Sequence, residues 1–387
     1  MIDRLRADEQ RLLIEATRDF VTRTIVPQAP AWERSGKGIP AEVFAELGKL
    51  GYFGLLVPRE HGGSELDLVS YAQVTEELAA GDCGLCNLVN VSNSPVAAAI
   101  RDHGTPTQVT RWLQALAAGR LRACFMLTEA GAGSDAAAIT SRAQRTAHGW
   151  RLSGTKRFVT AGQSAHLALV VAVTDAAAGK RGMSTFLVPT SSPGYRIARL
   201  EDKLGHRNCD TAEVVLDGIE LDDEQLLGRP GEGYRIALAY LNGGRIGVAA
   251  QAVGVARAAL EAALAYAAER QTFGQAIISH QAVGFRLADM ATHLTAARAL
   301  TLQAAALADA GKDAAAAAAM AKTFASSMAE TVTSAALQVF GGAGYTRDYP
   351  VEKFYRDARV LSIYEGTNDI QHLVIARALA GGWSLRP

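Results

Sequence analysis

Trp150-Arg-Leu-Ser-Gly-Thr-Lys-Arg-Phe-Val159 and Leu167-Ala-Leu-Val-Val-Ala-Val-Thr174 decide the fold class. Each is a short run rich in β-branched and aromatic residues, the composition of a strand rather than a helix. Four more such runs lie close by, at Ala123–Thr128, Ile139–Thr146, Ser184–Pro189 and Ala212–Asp217, with Gly149, Gly154, Gly162, Gly182 and Gly194 supplying the turns. Strands at this spacing predict a sandwich or barrel. On either side the period lengthens to that of a helix. Val43, Leu47 and Leu50 share one face upstream, as do Val69, Ala72, Val74 and Leu78, and Pro106 stands where a helix-starting proline belongs. Downstream of Tyr234, Val253, Ala256, Leu260 and Leu264 form one stripe, and Val283, Leu287, Met290, Leu294 and Ala297 form another. Such stripes are core packing. The alanine run Ala314–Ala319 reads as helix. The expected class is α+β: a helical N-terminal domain (1–121), a middle β-barrel or sandwich domain (122–229) and a C-terminal four-helix bundle (230–387).

Composition narrows the function. Among 387 residues, Lys+Arg and Asp+Glu number 39 each, and no basic run occurs, which argues against nucleic-acid binding. Met1–Arg11 is charged and lacks the apolar core of a secretory signal. The uninterrupted apolar runs, Ala314–Ala321 and Leu167–Val173, are too short to span a membrane. Four cysteines make no disulfide scaffold, so a cytoplasmic location is expected. Cys83-x-x-Cys86 lies in an apolar helical stretch with no second pair at zinc spacing, so buried small side chains are the plainer reading. The histidines are scattered, and neither a metal site nor a hydrolase elbow nor a phosphate loop is found. Gly131-Ala-Gly133-x-x-Ala136 imitates a dinucleotide fingerprint, but strands follow it and no acid occurs between Asp135 and Asp175.

Three segments depart from the core pattern. Phe125-Met-Leu-Thr-Glu-Ala-Gly-Ala-Gly-Ser134-Asp135 ends a strand in a loop that offers Thr128, two glycines and Ser134 to a planar or phosphorylated ligand; a plain strand-to-strand turn is the alternative. Glu269-Arg-Gln-Thr-Phe273-Gly274 ends a long helix with an arginine, a hydroxyl and an aromatic ring, which could hold a phosphate and a ring or simply cap the helix. Tyr364-Glu365-Gly366-Thr367-Asn-Asp369 sets a carboxylate between an aromatic ring and a glycine before a helix. Desolvation there would raise its pKa and suit it to proton abstraction, while a helix-start acid facing the dipole is the rival.

In this order the segments resemble the acyl-CoA dehydrogenase family, most closely its short-chain branch, over nearly the whole chain. Phe44–Pro58, Lys203-Leu-Gly205, Leu227-Gly228, Gln338–Gly342 and Tyr364–Gln371 add to the likeness. The resemblance implies FAD, with Phe125, Met126, Leu127, Thr128, Gly133, Ser134, Phe158, Val159 and Thr160 along the flavin of the same subunit. It implies that Arg270, Gln281, Gln338, Val339, Phe340, Gly341 and Gly342 reach a neighbour's cofactor in a homo-oligomer, a tetramer by family habit, and that Phe273, Thr367, Asn368 and Asp369 also touch FAD. Ser134, Asn242, Gly243, Gly244, Arg245 and Gly366 would contact the thioester's carrier arm or nucleotide, and Glu365 would be the base. The implied reaction removes the α proton to Glu365 and a β hydride to flavin N5, giving a trans-2-enoyl thioester, with electrons passing on to an electron-transferring flavoprotein. Ala130, Phe158 and Asn242 depart from the family's usual proline, tryptophan and aspartate. Some members carry the base where Gly244 stands, which leaves Glu365 as the candidate. Two other readings stay open. One is the same chemistry on a carrier-protein thioester or with oxygen as acceptor; the other is a non-catalytic acyl-thioester-binding protein. The resemblance also implies that the acyl pocket wall comes largely from the helix that here spans about Cys83–Ile100; that stretch holds no Arg, Lys or His to pair a distal carboxylate, so an uncharged short or medium acyl chain is the expected substrate.

Overall fold

The computed structural model describes residues 2–36 and 38–383; the side chains of residues 2–7, 241 and 242 lie outside the description. Helices α1 (Ile2–Phe20), α2 (Ala41–Lys49), α3 (Leu68–Gly81), α4 (Cys83–Val91) and α5 (Ala98–His103) dominate the N-terminal part. Two aspartates start consecutive helices. Asp67 accepts from the Ser70 amide at 2.7 Å to open α3, and Asp82 accepts from the Leu85 amide at 2.8 Å to open α4. The single helix expected over Cys83–Ile100 is interrupted. Ser94, ahead of Pro95, is extended (φ −144°, ψ 118°), the backbone a proline imposes on its predecessor.

The middle of the chain forms an eight-stranded sheet: β1 (Ala123–Met126), β2 (Arg142–Thr146), β3 (Gly149–Thr160), β4 (Leu167–Val173), β5 (Met183–Pro189), β6 (Tyr195–Leu200), β7 (Thr211–Leu221) and β8 (Leu226–Leu227). The order is β6-β7-β3-β2-β4-β5-β8, with β1 lying parallel to β4 from Ala123↔Leu167 to Met126↔Val170. The unbroken apolar run of β4 is explained by burial on both faces. Gly154 is no turn. It sits inside β3 at a register shift against β7, with its missing Cβ 2.1 Å from Ser141 Oγ. Strand β6 was not expected, because only Tyr195 and Ile197 of its residues pack inward.

Helices α6 (Gly233–Glu269), α7 (Gln281–Asp309), α8 (Ala315–Phe340), α9 (Val351–Ala358) and α10 (Asn368–Ala380) complete the chain. Helices α6 and α8 pack through alanines, among them Ala252, Ala256 and Ala259 against Ala321, Ala325 and Ala329. At Gly254 an added Cβ would stand 2.3 Å from the Glu76 carbonyl, so the glycine permits α3 to cross α6. By length and composition α6 is long and apolar enough to cross a membrane, although no uninterrupted apolar run marks it; 67% of its most apolar stretch is buried inside the protein, as a bundle's central helix requires.

The three parts meet at a buried charge knot. Lys353 of α9 contacts Asp82 at 2.9 Å and also Asp357, whose other oxygen accepts from the His206 amide at 2.6 Å. Asn208 donates to Asp82 at 2.7 Å. Burial works against the Lys353 charge, but the two carboxylates outweigh it and raise its pKa. Gly205 lies so close that a Cβ would meet the Arg356 carbonyl at 2.4 Å, which accounts for the glycine in Lys203-Leu-Gly205.

Candidate active site

Glu365 follows a short helical turn and adopts a left-handed conformation (φ 55°), as does Gly366 (φ 85°). A non-glycine residue held there is strained by of order 1–3 kcal/mol, so the surroundings must enforce it. They do so through carbonyls. Gln371 of α10, fully buried, donates Nε2 to the Gly366 carbonyl at 2.9 Å and to the Glu365 carbonyl at 3.3 Å. Lys322 of α8 donates to the Gly366 carbonyl at 2.9 Å and to Asn368 Oδ1 at 2.9 Å. Beside the turn, Tyr364 donates its hydroxyl to Gln251 Oε1 at 2.5 Å and packs edge-on against His206.

The carboxylate points at α6. A Cβ on Gly244 would stand 2.7 Å from Glu365 Oε2 and 3.3 Å from its Cδ. Gly244 is therefore the space that Glu365 fills. Oε2 has no accessible surface and no hydrogen-bond partner, although the residue as a whole keeps some exposure. Burial pushes the Glu365 carboxyl up to about 7, with the charges of Arg245 and Lys322 opposing that rise. Burial pulls Lys322 down to about 8, against the pull of Glu365. Arg245 is buried and also lowered by desolvation, with Glu365 opposing. The result is a partly desolvated carboxylate whose proton affinity lies near neutrality, with two cations close by.

The candidate flavin segments are tied together beneath the surface. Lys156 of β3, fully buried, reaches Glu129 at 2.8 Å and the Leu127 carbonyl at 3.0 Å. Glu129 also accepts from the Thr140 amide and hydroxyl, both at 2.7 Å, and from the Ser141 amide at 3.0 Å. Burial disfavours the Glu129 charge, but Lys156 and these donors hold its carboxyl down at about 2; burial holds Lys156 near 8. The Arg157 amide donates to the Thr128 carbonyl at 2.9 Å. Beyond this tie, the register of β3 against β7 shifts between Lys156 and Val159, and Phe158 (φ 56°) turns outward, 58% exposed, with Arg157 over its ring at 4.9 Å. Nothing lies within 4 Å of where a Cβ would stand on Gly131 or Gly133. An open glycine loop beside an outward aromatic ring and the Thr160 hydroxyl fits a planar ring bearing a phosphorylated arm.

Not every expected residue faces that cradle. The side chains of Met126, Leu127 and Val159 are in the core, so their backbone alone is available. Val339 and Phe340 are likewise core residues; Phe340 stacks on Tyr266 at 4.1 Å between centroids. Asn368 turns toward Lys322 and Ser326, and Thr367 caps α10 by accepting from the Ile370 amide at 3.4 Å. Asp369, Ser134, Gln281, Gln338, Gly341 and Gly342 are exposed. Helix α6 ends at Glu269, and Arg270 leads into a hairpin with Phe273 and Gly274 at its tip, both at positive φ. Phe273 is 96% exposed. Among the described residues, no hydrogen bond, ion pair or ring contact links Arg270, Phe273, Gln281 or Gln338–Gly342 to the cradle. Gly243 faces Ser94, while the Asn242 side chain lies outside the described residues. Among the polar residues of the presumed acyl wall, Asn93 is engaged by the Leu56 amide and the Tyr52 and Val89 carbonyls, a structural role. Asn90 accepts from Tyr71 at 2.9 Å, and Asn87 approaches Thr160 Oγ1 at 3.5 Å. Lys156 and Lys322 were given no role from the sequence, and Gln371 entered only as the end of the Tyr364–Gln371 stretch, yet a lone lysine within an apolar run, as Lys322 is, is a visible signal of a buried, partnered charge.

A cleft of about 730 Å³ between the N-terminal helices and the bundle does not include Glu365. Its carboxylates, Glu76, Glu77 and Glu261, are all paired with Arg18, Arg257 or Arg298.

Comparison with known proteins agrees with this geometry. The acyl-CoA dehydrogenase N-terminal, middle and C-terminal domains match residues 7–120, 124–219 and 231–380. The mitochondrial short-chain specific acyl-CoA dehydrogenase of Bos taurus is 40% identical over 369 residues, 95% of this chain and 89% of its own. The structure of butyryl-CoA dehydrogenase from Megasphaera elsdenii superposes with a TM-score of 0.93 at 37% identity, covering 96% of this chain and 98% of that one. A prolyl acyl carrier protein oxidase superposes with a TM-score of 0.92 at 28% identity, covering 96% and 98%. With all three domains matched in order and a relative 40% identical over nearly the whole chain, the chain belongs to the acyl-CoA dehydrogenase family of FAD-dependent oxidoreductases.

Proposed function

We propose that the protein dehydrogenates a short or medium acyl-CoA thioester between its α and β carbons, with Glu365 as the base. The observation that carries this reading is the Glu365 carboxylate, buried against Gly244 without a hydrogen-bond partner and poised to ionise near neutral pH. A base is most effective when its pKa lies near the working pH. Thr128, Gly131, Gly133, Phe158 and Thr160 would hold the flavin ring and its arm. The bound flavin supplies the hydride acceptor. The chain's own part is to orient the acyl carbon against Glu365 Oε2, exclude water from that face and take up the α proton. Arg245 and Lys322 keep the carboxylate ionisable despite its burial. Gly366 and Gly243 present backbone close to the thioester's arm, and Ser134 stands exposed at the loop where that arm would enter.

Arg270, Phe273, Gln281 and Gln338–Gly342 are the groups we assign to a neighbouring subunit's cofactor. The exposure of Arg270, Phe273, Gln281, Gln338, Gly341 and Gly342, and their separation from the chain's own cradle, support a homo-oligomer, most simply a tetramer of paired subunits. An electron-transferring flavoprotein is the proposed acceptor, and a cytoplasmic location the proposed setting. A carrier-protein thioester is the second reading, favoured by the likeness to a carrier protein oxidase. An anaerobic comparison of butyryl-, hexanoyl-, isobutyryl- and glutaryl-CoA, with one carrier-bound butyryl thioester beside them, tests both. Butyryl- or hexanoyl-CoA should give the highest kcat/KM; glutaryl-CoA as the best substrate would refute the uncharged acyl pocket.

A further inference from the structure

Lys322 lies on α8 where that helix packs its alanines against α6, and it is fully buried. An ammonium at such a position is costly unless it is paired and satisfied, and an apolar side chain of the same length would serve packing better. Yet the partners of Nζ are neutral: the Gly366 carbonyl and Asn368 Oδ1, each at 2.9 Å. Among the described residues it makes no ion pair within 4.0 Å. Both acceptors belong to the segment that carries Glu365. The Gly366 carbonyl also accepts from Gln371, so two side chains from two helices fix one peptide group in a turn whose two residues are both left-handed. Asn368 in turn is held by Ser326, one helical turn from Lys322 on α8.

The charged groups acting on Lys322 are Glu365 and Arg245. Those acting on Glu365 are Arg245 from α6 and Lys322 from α8, while the Tyr71 hydroxyl from α3 and its neighbour Tyr364 both sense its charge. Lys322 therefore holds the turn that carries the carboxylate, and Gly244 leaves the space the carboxylate fills. The lysine supplies a cation and a backbone anchor; the glycine supplies room.

We propose that Lys322 is a positioning residue for Glu365: it clamps the Glu365–Gly366 turn through the Gly366 carbonyl and Asn368, and it sets a positive charge near the base. This rests on the reading of Glu365 as the base. Two effects follow from removing it. The turn loses one of its two carbonyl anchors, which loosens the aim of Oε2. The carboxylate loses a neighbouring cation, so its ionisation moves to higher pH.

The test uses the FAD-loaded full-length protein in wild-type, Lys322→Met, Lys322→Gln and Glu365→Gln forms. FAD content, the pH dependence of flavin reduction by butyryl-CoA, and NMR-detected exchange of the thioester α-hydrogens with D2O are measured for each. For Lys322→Met the rising limb of both rate profiles should move up by about one pH unit, and the rate at pH 7 should fall on the order of tenfold. KM should change by less than about threefold, because ground-state binding is not what is lost. Lys322→Gln keeps a donor for the Gly366 carbonyl but no charge, so it should regain much of the high-pH plateau while its limb stays displaced. An unmoved limb in Lys322→Met would overturn the proposal. So would loss of FAD or of folding in both lysine variants, which would make Lys322 a packing or cofactor residue. Glu365→Gln separates the two levels. If it reduces flavin at the wild-type rate, the base assignment itself fails; if it is inactive while Lys322→Met is unaltered, only the role of Lys322 fails.

Discussion

At the scale of single residues, the site turns on one contact between a glycine and a carboxylate. Gly244 lies within a helix, where alanine is ordinarily favoured by about 0.5–1 kcal/mol. Its Cβ, however, would meet Glu365 Oε2 at 2.7 Å. Gly244→Ala should therefore leave thermal stability unchanged or slightly higher while lowering kcat/KM on the order of 10–100-fold, since small misplacements of a reacting group are that costly. Calorimetry beside steady-state kinetics checks the split, and a parallel loss of both would deny the contact its functional meaning. Glu365 also makes a prediction about stability. Its folded pKa, about 7, is raised above the usual carboxylate value of 4.5 by burial, so the folded state binds the proton more tightly than the unfolded state does. That contribution is fully present below the unfolded value and is lost as pH rises through about 7. Glu365→Gln should then match the wild type in stability near pH 4.5 and exceed it by on the order of 1–3 kcal/mol at pH 8. Denaturant unfolding at the two pH values reads this directly. Glu365 was legible as a candidate base: its place between Tyr364 and Gly366 left a helix-start acid as the rival, and the resemblance assigned the role. The clamp was not, because Lys322 and Gly244 reach Glu365 only through the packing of α8 and α6, a long-range pairing that no local pattern encodes.

At the scale of elements, the buried pair Lys156–Glu129 joins the strand bearing Phe158 and Thr160 to the loop bearing Thr128 and Gly133. Glu129 accepts from four donors, the Lys156 ammonium, the Thr140 amide and hydroxyl and the Ser141 amide, and the same ammonium also donates to the Leu127 carbonyl, which makes Glu129 a joint rather than a surface charge. Removing one partner of a buried pair strands the other, at roughly 3–5 kcal/mol. Glu129→Ala is expected to destabilise the protein by that order and to weaken FAD retention during gel filtration; retention at the wild-type level would show that the cradle does not depend on this joint. The strands were readable where they are buried on both faces, as in β4, or alternate, as in β7. Strand β6 was missed because most of its side chains face outward, and Gly154 was misread because a glycine bulge and a glycine turn look alike in sequence. The break before Pro95 had a clear signal in the proline itself, outweighed by the apolar run around it.

At the scale of the molecule, three domains converge beside the turn that carries Glu365. Asp82 from the N-terminal helices, His206 and Asn208 from the exit of the sheet, and Lys353 and Asp357 from the bundle form one buried network, and Tyr364 lies edge-on to His206. The domain order was legible from period and composition; this junction was not, since its members are spread over the whole chain. Phe273, Arg270, Gln281 and Gln338 are all exposed, free to meet a neighbouring subunit. Light scattering should find a dimer or tetramer, and Arg270→Ala should lower FAD affinity about tenfold or more if each site is completed by a neighbour; a monomer that retains FAD tightly would exclude the shared site. The central claim, that Glu365 is the base of an acyl thioester dehydrogenation, is tested most directly by mixing the FAD-loaded protein anaerobically with butyryl-CoA and following the loss of flavin absorbance in wild type and Glu365→Gln. The wild type should bleach, faster as pH rises through about 7, and the variant should bleach on the order of 10²–10⁴ times more slowly with its FAD content unchanged; bleaching of the variant at the wild-type rate would contradict the account.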